Sequence, residues 1–130
     1  MFNGIFGEIY FSFGWKTKAE ITLWREVYEI VVDAEAYFEN EEITFEQERA
    51  YETFNNSKQE KQDTIESLLL GYYNNERDES FLHEQLTPKT LVFDREGGCA
   101  LLLDDEEDPD NGLAVILIPD EEVMTQDEYL

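Results

Sequence analysis

The middle of the chain carries the pattern that most constrains its fold, an apolar stripe with helical spacing. Five residues recur there at steps of three and four: Ile65, Leu68, Leu69, Tyr72 and Tyr73. That spacing places them on one face of an α-helix. Ser57 and Glu60 form a capping-box pattern that begins this helix, and the Asn74-Asn75 pair is expected to end it.

A second helix is predicted just before it. Thr44 and Gln47 form another capping-box pattern. The following residues share one helical face: Gln47, Ala50, Tyr51 and Phe54. The Asn55-Asn56 pair is expected to end this helix directly before Ser57. The sequence therefore predicts a helical hairpin.

Strand patterns lie on both sides of the hairpin. Before it, apolar residues alternate from Ile9 to Phe13, and two further runs follow at 21–23 and 27–32. The segment WKTK, residues 15–18, is interpreted as a tight connection, so these strands are expected to form a meander. Strands are predicted after it at 90–93, 99–103 and 113–118, and residues 76–87 as a polar connection with one helical turn.

This order predicts an α+β fold. We expect a mostly antiparallel sheet built from N- and C-terminal strands, with a central helical hairpin packed on it. The 130 residues are expected to form a single domain, 1–130.

An unusually acidic turn separates the last two predicted strands. Six carboxylates lie within the seven positions 104–110, interrupted only by Pro109. An EF-hand calcium loop is not matched, because position 6 of a loop that starts at Asp104 is Pro109 and the flanks are strands. Pro109 and the Asp110-Asn111-Gly112 run explain a turn, and the charge discourages pairing between strand edges, but neither explains so many carboxylates.

The charge of the whole chain is also strongly negative. The net charge is −23, from 32 acidic and 9 basic residues. Such a field repels nucleic acid and anionic lipid, so we expect no nucleic-acid and no membrane partner and favour a basic protein or cations. The single Cys99 forms no internal disulfide, and the sequence has neither a signal-peptide pattern nor an apolar run of the ~20 residues that span a bilayer. We therefore expect a cytoplasmic protein.

No residue pattern predicts catalysis. Cys99 lies inside an apolar strand. His83 is the only histidine, and the sequence contains no GxSxG motif with a Ser nucleophile for it to activate. One Cys and one His exclude an ordinary zinc site unless carboxylates complete it. Paired carboxylates are abundant, and nothing in the sequence distinguishes one pair from the others. We therefore expect no catalytic residue, no metal and no cofactor.

The aromatic side chains have two interpretations. The residues concerned are Trp15, Trp24, Tyr28, Tyr37, Phe38, Tyr72 and Tyr73. Packing in the core and on the sheet is favoured over a ligand pocket. An exposed aromatic surrounded by acids would instead indicate a protein-binding hot spot.

Motifs in the C-terminal half suggest a family. Asp94, Glu96 and Gly97 match an acidic turn. Two further motifs read D-P-x-x-G-L-A-V at 108–115 and Q-D-x-Y-L at 126–130. Together with the helical segment EEITFEQERAYETFNN, they resemble a bacterial family of domains of unknown function. Some members of that family are similar to immunity proteins of polymorphic and contact-dependent toxin systems. The resemblance implies a toxin-neutralising role and supplies no catalytic residues.

The leading hypothesis is a non-enzymatic acidic protein that binds a basic partner, such as a nuclease-type toxin domain. The candidate contacts are carboxylates in and after the turn: Asp104, Asp105, Glu106, Glu107, Asp108, Asp110, Glu121 and Glu122. The alternative is an uncharacterised cytoplasmic domain that binds a small ligand or a metal ion. An enzyme is the third hypothesis, and it requires a carboxyl in a cleft with a clearly raised pKa.

Overall fold

A seven-stranded sheet organises the molecule. The structure, a computed structural model, describes residues 1–74, 76 and 78–129. The strands are β1 Phe2–Asn3, β2 Gly7–Glu8, β3 Tyr10–Phe11, β4 Trp15–Leu23, β5 Glu26–Ala34, β6 Leu86–Phe93, β7 Cys99–Asp105, β8 Leu113–Ile118 and β9 Glu122–Thr125. The helices are α1 Phe45–Asn56, α2 Lys58–Tyr72, α3 Glu79–Gln85 and α4 Gln126–Tyr129. The predicted α+β class is confirmed, whereas the single domain 1–130 stays a prediction.

The strand order follows the chain. The large sheet has the order β3-β4-β5-β6-β7-β8-β9, and β1 pairs separately with β2. Neighbouring strands of the large sheet are antiparallel except β5 and β6, which pair in parallel through Val31–Ala34 and Thr90–Phe93. A parallel pair needs a long crossover connection, and α1, α2 and α3 supply it. The predicted mostly antiparallel sheet with central helices is confirmed.

The register gives the sheet two distinct ends. At one end, which we call the Trp15 end, paired residues follow one another across the sheet: Trp15, Ala34, Phe93, Cys99 and Ile118. At the opposite end, which we call the turn end, lie Leu23 with Glu26, Leu86 with Asp105, and Leu103 with Leu113. The connection between β7 and β8, with most of the acidic turn, lies at the turn end.

The core lies between the sheet and the helices. Alternate strand residues and the inner faces of the helices are buried in one cluster, which includes Ile30, Val32, Phe93, Leu101, Phe54, Ile65, Leu69 and Leu82. Small residues are buried outside that cluster at Ala100 and Ala114, in strands beside the short helix α4. Helix α4 packs on β8 and β9.

The first predicted helix is confirmed, including its cap. Thr44 Oγ1 accepts from the Gln47 backbone N–H over 3.1 Å, and Gln47 Oε1 accepts from the Thr44 N–H over 2.9 Å. The predicted inner face, Gln47, Ala50, Tyr51 and Phe54, is buried. Gln47 also donates from Nε2 to the Glu35 and Phe93 carbonyls, which fixes the helix at the Trp15 end of β5 and β6.

The second predicted helix is confirmed, but the predicted capping box at its start does not form. The Ser57 side chain makes no cap bond. Ser57 is the only residue between the two helices, so it is also the C-cap of α1, and its backbone N–H donates to the Thr53 and Phe54 carbonyls. Helix α2 ends at Tyr72, and Asn74 follows with a left-handed φ of 56°. Asn75 lies outside the described residues.

Three segments differ from their predictions. The alternating run from Ile9 to Phe13 forms only the two-residue strand β3. The segment WKTK is the start of β4, with Trp15 buried and Lys18 exposed, so it is not a connection. Residues 76–87 are predicted as a polar connection with one helical turn. The helical turn is present but longer, as α3, and β6 begins at Leu86 rather than Thr90. Leu82 and Leu86 are fully buried, and their packing stabilises these two elements.

Candidate partner-binding surface

The acidic turn is built from consecutive hydrogen-bonded turns. The Asp108 N–H donates to the Asp105 carbonyl over 3.1 Å, and the Gly112 N–H donates to the Asp108 carbonyl over 2.9 Å. Gly112 has a left-handed φ of 63°, and a Cβ there would lie 2.5 Å from the Leu103 carbonyl oxygen. The backbone therefore holds the turn in one compact conformation.

Most of the predicted contact residues in this turn face solvent. Asp104, Glu106, Glu107 and Asp110 are exposed, and Asp108 is half-buried. No ion pair joins any of them to a Lys, Arg or His within residues 1–74, 76 and 78–129. Their negative charge is therefore directed at solvent rather than neutralised inside the fold.

Asp105 differs from its neighbours because its side chain is buried, with only 6% of the residue exposed. Its Oδ1 accepts from Gln85 Nε2 over 2.8 Å and from the Glu107 backbone N–H over 2.9 Å. The Glu106 N–H in turn donates to the Gln85 carbonyl over 3.0 Å. Asp105 thus fixes the turn to α3, and we omit it from the contact surface.

A small cavity lies where the acidic turn meets α3. It has a volume of about 170 Å³ and is lined by Phe81, Glu84, Gln85, Glu106 and Glu107. We call it the Gln85 pocket. Three of its five lining residues carry carboxylates, and Glu84 is one that the sequence interpretation missed. The arrangement suits a group that is both cationic and a hydrogen-bond donor.

The side-chain amide of Gln85 contributes an acceptor without a partner. A carboxylate accepts hydrogen bonds and donates none, so the bond to Asp105 fixes Nε2 of Gln85 on the Asp105 side. The same Nε2 donates to the Tyr73 hydroxyl over 3.1 Å. Oε1 of Gln85 is buried and has no hydrogen-bond partner in the described part of the chain.

Tyr73 supports this site as a neutral group. Burial, followed by the nearby charge of Asp105, raises the pKa of the Tyr73 hydroxyl to about 12. Its ring contacts those of Tyr72 and Phe81 edge-on, with centroids 5.2 and 6.4 Å away. Tyr72 is 44% exposed, and Tyr37 and Phe38 are exposed as well, so the expectation of packing in the core or on the sheet is wrong for these three side chains.

Glu121 and Glu122 do not belong to the same surface. Both are exposed, but Glu122 pairs with Ile116 and lies toward the Trp15 end of β8. Ile116 lies three positions along β8 from Leu113 at the turn end, which places Glu122 roughly 10 Å from that end. Asp127 and Glu128 lie closer to the acidic turn, because the neighbouring Gln126 donates to the Leu103 carbonyl over 2.8 Å.

Cys99 and His83, the two residues considered for nucleophilic chemistry, lie in environments that do not favour it. Burial raises the pKa of the Cys99 thiol to about 12, which disfavours the thiolate that a nucleophile requires. Nδ1 of His83 lies 2.9 Å from the Tyr28 hydroxyl, and its Nε2 lies 4.0 Å from Glu26. His83 is therefore already engaged with side chains of β5.

Carboxyl groups with raised pKa values lie away from the Gln85 pocket. Burial is the first cause for Asp33, Glu35 and Glu66, and the charge of Asp94 adds to it for Glu35. Within the described residues, no three His, Cys, Asp or Glu side chains are grouped so that they could hold a metal ion. None of the helices in that part of the chain is long and apolar enough to cross a membrane.

Sequence reasoning missed Glu84 and Gln85, because residues 76–87 are predicted as a polar connection with a single helical turn. A signal for α3 was present in Asp78, whose carboxylate accepts from the Phe81 N–H over 2.9 Å as an N-cap.

Comparison with known proteins gives one match. Residues 5–92 match the model of a family described as a domain of unknown function, DUF6985. No curated protein and no solved structure matches the chain. The matched range ends inside β6, so the acidic turn and the C-terminal motifs lie beyond it, and Leu130 of the last motif also lies outside the described residues. Because the match covers more than half of the chain, the protein belongs to the DUF6985 family of domains of unknown function.

Proposed function

We propose that this chain is a non-enzymatic acidic protein that binds a cationic protein, and that its role is immunity against a basic toxin of the nuclease type. The contact surface consists of the exposed acids of the turn together with Glu84 of α3. The exposed members are Asp104, Glu106, Glu107, Asp108 and Asp110. The immunity role rests on the C-terminal motifs, which resemble a bacterial family of domains of unknown function, some of whose members are similar to immunity proteins.

One observation carries the proposal. Glu84, Glu106 and Glu107 converge around the Gln85 pocket without an ion pair to any described cation. A guanidinium or ammonium group that entered this pocket would pair with the carboxylates of Glu84, Glu106 and Glu107. The pocket therefore fits an Arg or Lys side chain of a partner protein.

The charge of the whole chain supports the same partner class. A net charge of −23 accelerates encounter with a cationic surface and repels nucleic acid. Nuclease domains carry basic surfaces because they bind phosphates. An acidic protein that covers such a surface would block access of the nucleic acid.

The proposal is tested with the product of the gene adjacent to this one. We expect co-expression to protect cells from that product, and the purified chain to inhibit its nuclease activity. The triple variant Asp104→Asn, Glu106→Gln, Glu107→Gln should raise Kd by roughly tenfold or more and reduce its salt dependence.

A matched control separates local contacts from total charge. Glu20→Gln, Glu52→Gln and Glu60→Gln remove the same number of charges from exposed positions outside the turn. This variant should bind nearly as the native chain does. Equal weakening by both triple variants, or the absence of both protection and binding, would contradict the proposal.

A further inference from the structure

A second surface with different chemistry lies at the Trp15 end of the sheet. Most of the exposed large hydrophobic side chains of the described residues belong to the segments 1–13 and 37–45: Met1, Phe2, Tyr10, Phe13, Tyr37, Phe38 and Phe45. Phe13 is 95% exposed and Tyr37 is 79% exposed. Exposed aromatics in such numbers are typical of a surface that another molecule covers.

Two adjoining cavities form a groove within this surface. Their volumes are about 200 and 420 Å³, and both are lined by Met1, Ile9 and Trp15. We call this the Trp15 groove. Phe11 and Tyr10 line the larger cavity, and the smaller one continues to Ile43. Apolar side chains therefore line the groove together with polar groups, a combination found in ligand and peptide grooves.

Hydrogen bonds hold the groove in place. Nε1 of Trp15 donates to the Glu41 carbonyl over 2.6 Å, and the Trp15 ring meets Phe11 edge-on at a centroid distance of 5.3 Å. Oε1 of Glu41 accepts from the backbone N–H groups of Tyr37 and Phe38 over 2.7 and 2.9 Å. The exposed aromatics at 37 and 38 are therefore fixed beside Trp15, which lowers the entropic cost of binding.

The groove is bordered by carboxylates. Glu42 and Glu48 line the smaller cavity and Glu39 the larger one. None of the three forms an ion pair with a described cation. The ammonium of Met1, which lines both cavities, donates to Glu8 Oε1 over 3.1 Å and to the Ile9 carbonyl over 3.2 Å, so it is paired with Glu8 rather than with Glu39, Glu42 or Glu48. Charge complementarity therefore favours a cationic occupant with an apolar part.

We propose that the Trp15 groove is a docking site for a basic, partly apolar polypeptide segment of the partner. An apolar side chain lies on Trp15 and Ile9, and flanking Lys or Arg side chains pair with Glu39, Glu42 and Glu48. A polypeptide is favoured over a small molecule because Phe13, Tyr37 and Phe38 are exposed outside the residues that line the cavities. The inference rests on the proposed function, since the segment belongs to the cationic partner.

Trp15 itself reports on the groove. The chain has two Trp residues, so a Trp24→Phe variant leaves Trp15 as the single tryptophan emitter. Three short peptides serve as probes: alternating Lys and Leu, alternating Lys and Ser, and alternating Glu and Leu. We expect the Lys-Leu peptide alone to change Trp15 emission with saturation, because only this peptide carries both cations and apolar side chains.

Charge variants test the assignment of the carboxylates. In the Trp24→Phe background, Glu42→Gln with Glu48→Gln should raise the Kd of the Lys-Leu peptide roughly three- to tenfold, as expected for two partly exposed ion pairs. Glu20→Gln with Glu60→Gln removes the same number of charges away from the groove. This pair should change Kd by less than about twofold, because salt screens the interaction of distant surface charges with the peptide. Thermal unfolding confirms that each variant is folded.

Several outcomes would overturn the inference. These are an unchanged Trp15 emission, an equal response to the Lys-Ser peptide, or equal weakening by the control pair. An equal response to free arginine or butylamine would assign the groove to a small cation. A response to the protein's own concentration, with dimers in sedimentation, would assign it to a second copy of the chain.

The two proposals fail in different ways. If the chain has no cationic partner, the adjacent gene product does not bind, whatever the peptides do. If only the groove is wrongly assigned, that product binds and the binding is unaffected by Glu42→Gln with Glu48→Gln.

Discussion

Nε2 of Gln85 donates a hydrogen bond of 2.8 Å to Oδ1 of Asp105, and this bond joins α3 to the strand that leads into the acidic turn. The same carboxylate oxygen accepts from the Glu107 backbone N–H. One buried acid therefore orients the exposed acids beside it, and the two kinds of carboxylate should respond very differently to substitution.

Replacement of Asp105 tests this difference. Asp105→Ala removes the acceptor for the Gln85 and Glu107 N–H groups, so we expect a loss of about 2–3 kcal/mol in the free energy of unfolding. The exposed neighbour is the control, and Asp104→Ala should change stability by no more than about 0.5 kcal/mol. Urea denaturation measures both. Equal losses for the two variants would contradict the anchoring role.

Two glycines should respond to alanine with opposite signs. At Gly112, with φ of 63°, a Cβ would lie 2.5 Å from the Leu103 carbonyl oxygen and 2.6 Å from Gln126 Nε2, so Gly112→Ala should destabilise by about 2 kcal/mol or more. Gly71 lies in α2 with open space around its Cβ position, so Gly71→Ala should stabilise by about 0.5–1 kcal/mol. Thermal unfolding of both variants checks the pair, and a tolerated Gly112→Ala would show that the turn is not held as described.

Stability should increase as the pH falls from 7 toward 4.5. Burial raises the folded-state pKa of Asp33, Glu35 and Glu66 above their ordinary values of 3.8 and 4.5. A carboxyl that protonates more easily when folded stabilises the fold below the unfolded pKa, and that contribution is lost as the pH rises through the folded pKa. Protonation also relieves the repulsion of a chain with net charge −23.

Urea denaturation at several pH values measures the trend. Glu35→Gln should reduce the pH dependence, whereas the exposed control Glu60→Gln should leave more of it intact. Stability that decreases steadily between pH 7 and 5 would contradict the assignment.

Cys99 should resist thiol reagents in the native protein. Burial raises its pKa to about 12, so at pH 8 only about one thiol in ten thousand is ionised. Labelling by a disulfide reagent should therefore follow transient opening of the fold and become fast in denaturant. Stopped-flow absorbance gives the rates, and rapid labelling of the folded chain would show that the thiol is accessible.

Local patterns predicted the elements that are amphipathic and capped. The Thr44–Gln47 box and the stripe along α2 each depend on neighbours within one or two turns, which the sequence contains directly. Only one turn of α3 was predicted, because five of its seven residues are polar. WKTK was misjudged because its two lysines, which alternate with Trp15 and Thr17 along β4, resemble a polar connection. In both cases the element depends on packing or pairing with distant residues.

The candidate site was predicted only in part. The exposed acids of the turn could be identified from the sequence, because charge at a Pro- and Gly-containing turn lies on the surface. The burial of Asp105 could not, since it depends on Gln85, twenty positions earlier. The distance of Glu122 from the turn depends on its pairing with Ile116, which no local pattern encodes.

The register also sets how far a partner must reach. Trp15 begins β4 at one end of the sheet, and the acidic turn follows Asp105 of β7 at the other end, three strands away. With steps of about 3.3 Å along a strand and 4.8 Å between strands, the two surfaces are roughly 25 Å apart. A flat, compact epitope would touch one of them, whereas a protein with a tail could bind both. Such bivalent attachment would lengthen the residence time of the complex beyond that of either contact alone.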